Sequence, residues 1–375
     1  MVTQVINLSN EMVFSFYKKK FQFNLPFLEG TLGIEIRKLP VEIIKEKLMN
    51  GANNLFISEN NLLLTGSFKE ILESTSKLNI QHEINHMIKR AIENYTRTKA
   101  QAYEIGKNNF NFKNAYVMGI INVTPDSFSD GGRYFQKENA VNLAFQMVEE
   151  GVDIIDIGGE STRPGSDTVS EEEELKRVIP VIEEILKGKP DSIISIDTTK
   201  SKVAEQALKS GALLVNDISG GTFDKDMFKV VKDYDAAIII MHTKDKPKTM
   251  QDSPYYDEVV SAVYDYLTVQ TNTAVRSGIS KIIIDPGIGF GKRIEDNLNL
   301  IERMEDFKSL GFPILIGLSR KSFIGNILNL SVEERDDITN ALNSFALSKG
   351  ARIIRTHNFK MGVQTCKMFN RFSSK

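Results

Sequence analysis

Nine residues of this chain share one kind of placement. Asn122, Thr162, Arg163, Asp197, Asn216, Asp285, Lys321, Arg355 and His357 each lie at or just past the end of a short apolar run. The first of these runs is the most informative. Tyr116 to Ile121 stops abruptly at Asn122-Val123-Thr124-Pro125-Asp126-Ser127-Phe128-Ser129-Asp130-Gly131-Gly132, a stretch of amide, carboxylates, hydroxyls and a glycine pair. The nine comprise three neutral hydrogen-bonding groups, two carboxylates, and four groups that are or can become cationic. Carboxylates beside amides suit a flat heterocycle with amino and lactam edges. Arginine, histidine and the segment Ser319-Arg320-Lys321-Ser322 suit phosphate or pyrophosphate. The chemistry implied is an enzyme that joins or cleaves a nitrogen heterocycle bearing a phosphate-type group.

The elements that must hold these residues can be read from the pattern. Eight apolar, β-branched runs occur: Tyr116 to Ile121, Ile154 to Ile157, Ile193 to Ile196, Leu213 to Val215, Ala237 to Met241, Lys281 to Ile284, Pro313 to Gly317 and Arg352 to Ile354. Runs without alternation predict strands buried on both faces. Helical patterns lie between them. Asn139 to Glu150 repeats apolar residues at Ala140, Leu143, Ala144, Met147 and Val148. Ser170 to Leu186 opens on a capping box, Ser170 with Glu173, and its four glutamates form an acidic first turn. The expected fold is α/β, a (β/α)8 TIM barrel over 116–375, close to the size of about 250 residues usual for that barrel. An open doubly wound sheet is the alternative, but a polar cluster after every strand favours closure. In a barrel all strand-end loops meet on one face, which brings the nine residues to one mouth.

From Tyr116 onward the chain resembles dihydropteroate synthase. The segments carrying the resemblance are Asn122 to Gly132, Gly158 to Pro164, Ser195-Ile196-Asp197-Thr198, Asn216-Asp217-Ile218, Met241-His242, Asp285-Pro286-Gly287-Ile288-Gly289-Phe290-Gly291, Ser319-Arg320-Lys321-Ser322 and Arg355-Thr356-His357. Their order matches as well as their content. Asn358-Phe359 departs from it, since the family usually has an acidic and an aliphatic residue there. The resemblance implies a pterin pocket of Asp197, Asn216, Met241, Asp285 and Lys321. It implies pyrophosphate contacts from Asn122, Thr162, Arg163, Arg355 and His357, with Asn122 also holding Mg²⁺. A p-aminobenzoate wall is implied at Pro164, Phe290, Lys321 and Ser322. Asp130 falls on a loop that closes over substrate, and is grouped as catalytic with Asp197, Lys321, Arg355 and His357. The implied reaction condenses 6-hydroxymethyl-7,8-dihydropterin diphosphate with p-aminobenzoate to give 7,8-dihydropteroate and pyrophosphate. The family further suggests a homodimer formed through the last barrel helices, and composition agrees with a cytoplasmic enzyme.

Two other functions compete. A pterin-barrel methyltransferase acting on a methylated folate shares the carboxylates and the asparagine, but has no need of Arg355, His357 and Lys321 around an anion. A silent pterin-binding protein is disfavoured because every anion-handling position is filled. Gly287-Ile288-Gly289-Phe290-Gly291 is not a dinucleotide loop, since the sixth position is Lys292 and a proline precedes it.

Residues 1–98 are expected to form a small α/β domain of unread function. Strands are predicted near Leu32 to Arg37, Asn54 to Ser58 and Leu62 to Thr65, and helices near Val41 to Met49, Phe68 to Leu78 and Gln81 to Tyr95. Residues 99–115, which overlap the asparagine-rich polar stretch Thr96 to Asn114, read as a linker. His82-Glu83-Ile84-Asn85-His86 matches a zinc-protease spacing. On a helix, however, Ile84, Ile88, Ala91 and Tyr95 form the apolar stripe and both histidines fall opposite it, on the water side. Composition gives no electrostatic footprint for nucleic acid, with 47 Lys plus Arg against 49 Asp plus Glu. The single cysteine, Cys366, excludes an intramolecular disulfide. No apolar run reaches membrane-spanning length, so no membrane partner is expected, and the partners read are small-molecule substrates.

Overall fold

The computed structural model describes residues 1–40, 54–77, 82–96, 101–124, 133–163 and 165–373. It divides into two compact units, Met1–Lys99 together with Arg303–Gly311, and Ala100–Glu302 together with Phe312–Lys375.

The first unit is a four-stranded antiparallel sheet, β1 (Val2–Asn7), β2 (Leu32–Arg37), β3 (Leu55–Ser58) and β4 (Asn61–Gly66), in the order β1-β2-β4-β3. Alternation along the strands divides its core. Val5, Ile34, Ile36, Leu62 and Leu64 pack with Ile84, Ile88, Ala91, Ile92 and Tyr95 of the helix His82–Thr96. Ile6 and Leu63 pack with Val13, Phe14, Tyr17 and Phe21 of the helix Glu11–Phe21. His82 and His86 are exposed, opposite the buried stripe, as the helical spacing predicts. Strand β1 and helix Glu11–Phe21 were not read from the sequence. The predicted helix Val41 to Met49 lies outside the described residues. Tyr95 donates its hydroxyl to Glu305 at 3.0 Å, and Val5 donates its N–H to Ser309 Oγ at 3.3 Å. Residues 303–311 therefore belong to this unit, although they lie far along the chain.

The second unit is the expected barrel. Its strands are β7 (Tyr116–Asn122), β8 (Ile154–Gly158), β9 (Ile194–Asp197), β10 (Leu214–Asp217), β11 (Ala237–Met241), β12 (Ile282–Asp285), β13 (Ile314–Ile316) and β14 (Ala351–Thr356). All eight pair in parallel, and β14 pairs back onto β7 to close the sheet. Closure leaves no strand edge exposed. Each strand is followed by one or more helices, the first being Arg133–Glu150 and Glu171–Gly188. Ser170 caps the second of these by accepting the Glu173 N–H at 3.2 Å. Of the four glutamates in that turn, Glu174 is fully buried and binds Lys200.

The stretch expected to be linker is instead largely a hairpin. Strands β5 (Ala102–Ile105) and β6 (Asn108–Asn111) pair antiparallel around a two-residue turn. Gly106 at the first turn position has φ +60, a conformation glycine adopts without strain. The hairpin also has an apolar side. Tyr103, Ile105, Phe110 and Phe112 pack against Met118, Ile154, Leu214, Ile239, Ile283, Leu315 and Ile353, sealing the N-terminal end of the barrel. The other end of the barrel is left for chemistry.

Candidate active site

The site is built from strand ends. Asn122 closes β7, Asp197 closes β9, Asn216 is the penultimate residue of β10, and Met241 and Asp285 close β11 and β12. Arg355 is the penultimate residue of β14, and its guanidinium crosses to the opposite wall. Nε donates to Asp156 Oδ2 at 2.7 Å and Nη2 donates to Asp197 Oδ2 at 2.6 Å. Asn216 Nδ2 donates to the same Asp156 oxygen at 3.0 Å. One cation, two carboxylates and one amide from four strands are therefore locked together. Burial pushes Asp197 up to about 7 against the pull of Arg355, while Asp156, Glu174 and Asp217 push it the same way as burial.

A second cluster surrounds Asp285. Its Oδ1 accepts the Gly287 N–H at 2.7 Å. Burial raises its carboxyl, opposed first by that hydrogen bond and then by Lys321 and Lys292. Loss of water pushes Lys321 down to about 8, and Asp285 is the largest influence holding it up. The Lys321 ammonium sits 4.2 Å from the centre of the Phe290 ring. Phe290 joins Ile218, Met241 and Met250 in one apolar cluster. The backbone here admits no other shape. A Cβ on Gly287, where φ is +72, would stand 1.9 Å from the His242 carbonyl oxygen.

His357 lies just past β14, and its Nδ1 is 2.9 Å from Ser319 Oγ, which also accepts the His357 N–H at 3.1 Å. Burial, then the neighbouring Arg355, Arg320 and Arg163, lowers His357 to about 3. Without an anion bound, these surroundings favour the neutral imidazole, which offers a hydrogen bond. Thr162 is half-buried and Arg163 exposed on the loop after β8. Ser322 is exposed and begins the helix Ser322–Leu328. Arg320, in the same segment, is bidentate on Asp336. Asn358, where the chain departs from the resemblance, accepts the Met361 N–H and so caps the final helix. Asp130 and Pro164 lie outside the described residues.

Several groups outside the predicted site residues contribute to it. Asp156 is the clearest, a fully buried carboxylate in the middle of β8. A lone charge inside Ile154-Ile155-Asp156-Ile157 is the signal that could have found it, because a buried charge needs a partner. Ser319 orients His357. Lys200 is held between Glu160 and Glu174, and Glu160 also accepts the Val169 N–H at 3.2 Å, which anchors the loop that carries Thr162 and Arg163. Lys292 is buried and its charge is felt by Asp285.

Comparisons with known proteins agree with this geometry. The chain matches the model of the family "Pterin binding enzyme" over residues 118–357. It is 46% identical over 259 residues to dihydropteroate synthase of Synechocystis sp., covering 68% of this chain and 89% of that protein. Dihydropteroate synthase of Clostridium beijerinckii is 45% identical over 269 residues, covering 71% and 97%. Among solved structures, Yersinia pestis dihydropteroate synthase in a sulfonamide complex superposes with a TM-score of 0.69 at 36% identity, covering 73% of this chain and all of that one. The Xanthomonas albilineans enzyme with 7,8-dihydropteroate superposes with a TM-score of 0.65 at 33% identity, again covering 73% and all of its chain. Strand-end carboxylates, the arginine and lysine side chains beside them and these relatives converge: the chain belongs to the dihydropteroate synthase family of pterin-binding enzymes.

Proposed function

We propose that the mouth of this barrel divides the synthase reaction among its residues as follows. Asp197, Asn216 and Asp285 read the pterin edges, Met241 packs against the ring, and Lys321 bridges to the second substrate. Arg163, Arg355, Thr162 and His357 take the diphosphate, His357 as a neutral hydrogen-bond partner. Phe290, Lys321 and Ser322, with Pro164, form the p-aminobenzoate wall, and Asp130 belongs to a loop that covers substrate. The observation carrying this scheme is the Asp156–Arg355–Asp197 ion pair, which sets a cation beside the pterin carboxylates where a leaving anion needs it.

The chemistry asks little of a base. An arylamine is neutral near pH 7 and can attack unaided, consistent with a site that offers charge stabilisation and no activated nucleophile. Carbon–oxygen cleavage leaves positive charge shared with the electron-rich pterin, and Asp197 and Asp285 stabilise it where it develops. The departing diphosphate is held by guanidinium and imidazole. Burial keeps water, the competing nucleophile, away.

Mg²⁺ is assigned in this scheme to Asn122, which closes β7 at the mouth and brings a neutral side-chain oxygen. A site with few protein oxygens suits Mg²⁺, which keeps waters and takes the rest of its ligands from substrate phosphates. When bound, it would offset charge on the diphosphate. Asn122→Ala is therefore expected to raise the Mg²⁺ concentration for half-maximal rate about tenfold. An unchanged Mg²⁺ titration would remove Asn122 from that role.

Small-molecule partners follow from the relatives, whose structures include one with 4-aminobenzoic acid and one with 7,8-dihydropteroate. Among the described residues no helix is long and apolar enough to cross a membrane. A cytoplasmic homodimer is part of the same proposal. Exposed Phe345, Met368 and Phe372 on the last two barrel helices are the surface that supports a dimer. Sedimentation equilibrium giving twice the chain mass is the expected result, and a monomer at assay concentrations would refute it.

A further inference from the structure

Lys292 has an unusual set of partners for a buried lysine. Its side chain is 4% exposed as a residue and touches no carboxylate among its hydrogen-bond partners. Nζ is 2.9 Å from His242 Nδ1, 2.9 Å from the Phe290 carbonyl oxygen and 3.4 Å from the His242 carbonyl oxygen. Three acceptors match the three N–H bonds of an ammonium group. Two belong to the end of β11, and one to the loop that follows β12. The same two segments are joined by a backbone bond, His242 N–H to the Asp285 carbonyl at 3.1 Å, and by the close approach of Gly287 to the His242 carbonyl.

We propose that Lys292 is a positioning residue for the acceptor-substrate end of the site. It ties residues 286–291 to His242, fixes the Phe290 carbonyl, and so holds the Phe290 ring beneath the Lys321 ammonium. The Asp285 carboxylate has a bond of its own, from the Gly287 N–H, but that donor sits in the same loop and Asp285 also feels the Lys292 charge. Loss of Lys292 therefore acts first on the p-aminobenzoate side, through Phe290, and less strongly on the pterin side, through Asp285. The proposal rests on the assignment of Phe290 to the p-aminobenzoate wall. Burial brings Lys292 down to about 7, so below that value its ammonium donates to Nδ1 and leaves the His242 proton on Nε2. Burial and the two cations Lys292 and Lys244 hold His242 well below its ordinary range, so the ring is neutral throughout the working range.

Two measurements test it. The chain has four histidines, so ¹⁵N-histidine NMR of the wild-type enzyme can resolve His242. The expected signature is a neutral ring protonated on Nε2, lost or mixed in Lys292→Met. At a pH well below 7, where Lys292 carries its proton, a wild-type His242 protonated on Nδ1 alone, or one that titrates in the ordinary range, would overturn the proposal without any variant having to fold. Steady-state kinetics form the second measurement. Lys292→Met is expected to raise KM for p-aminobenzoate about tenfold while KM for the pterin diphosphate rises by about threefold or less, since the displaced wall misplaces one reactant and the lost charge only perturbs Asp285. Equal rises in both KM values indicate general loosening and would refute it. Phe290→Ala serves as the control. If Phe290→Ala raises KM for p-aminobenzoate and Lys292→Met does not, the positioning role alone fails. If neither does, the assignment of Phe290 to the wall fails too.

Discussion

Arg355→Met is expected to lower kcat about 1000-fold and to destabilise the barrel by about 3 kcal/mol, because the guanidinium serves both the leaving anion and the fold. Removing it leaves Asp156 and Asp197 as buried carboxylates that face one another without a cation. Their response to pH distinguishes this loss from a generic cavity. Asp197 already stands at about 7 in the intact protein, and without Arg355 its carboxyl moves higher. A carboxyl whose pKa is raised by folding binds its proton more tightly in the folded state. Its favourable contribution is full below the ordinary carboxylate range and is lost as pH rises through the folded value. The deficit of Arg355→Met should therefore be large at pH 8 and shrink toward pH 5. Denaturant melts at the two pH values, with single-turnover rates, measure both effects. A variant with near wild-type turnover, or a deficit independent of pH, would contradict the double role.

Asp285→Asn is the second large effect. The substitution keeps shape and can still accept the Gly287 N–H, so the fold should survive, while the negative charge at the pterin edge is lost. Turnover is expected to fall about 100-fold or more, as for other groups that act on charge developing in the transition state. Lys321 supplies the pH signature. Burial has brought it down to about 8, and Asp285 is the largest group opposing that fall. An ammonium needed for binding is present below its pKa and absent above it. The profile of kcat/KM for p-aminobenzoate should thus have an alkaline limb near 8 in the wild type. That limb should move to lower pH in Asp285→Asn. An alkaline limb that stays in place would show that Lys321 does not control it.

Much of this site was legible because barrel strands end where chemistry begins. Asn122, Asp197, Asn216, Asp285 and Arg355 each stop or nearly stop an apolar run, and the closed sheet brings all five to one mouth. Asp156 was not legible by that rule, since it sits inside a run and is tolerated only through its bonds to Arg355 and Asn216. The charge state of His357 was equally hidden, because it depends on burial and on three arginines from separate segments. Polar composition concealed the hairpin over 102–111. Its asparagines suggested a linker, while the four apolar residues that seal the barrel are spaced across both strands. The N-terminal sheet was read only in part. Residues 303–311 belong to it by long-range bonds such as Tyr95 to Glu305, which no local pattern could announce.

The measurement that tests the central claim most directly is pyrophosphate release from 6-hydroxymethyl-7,8-dihydropterin diphosphate with Mg²⁺, with and without p-aminobenzoate. The account predicts release that depends on p-aminobenzoate, with one 7,8-dihydropteroate, identified by mass, for each pyrophosphate. Pterin binding without any p-aminobenzoate-dependent release would contradict it.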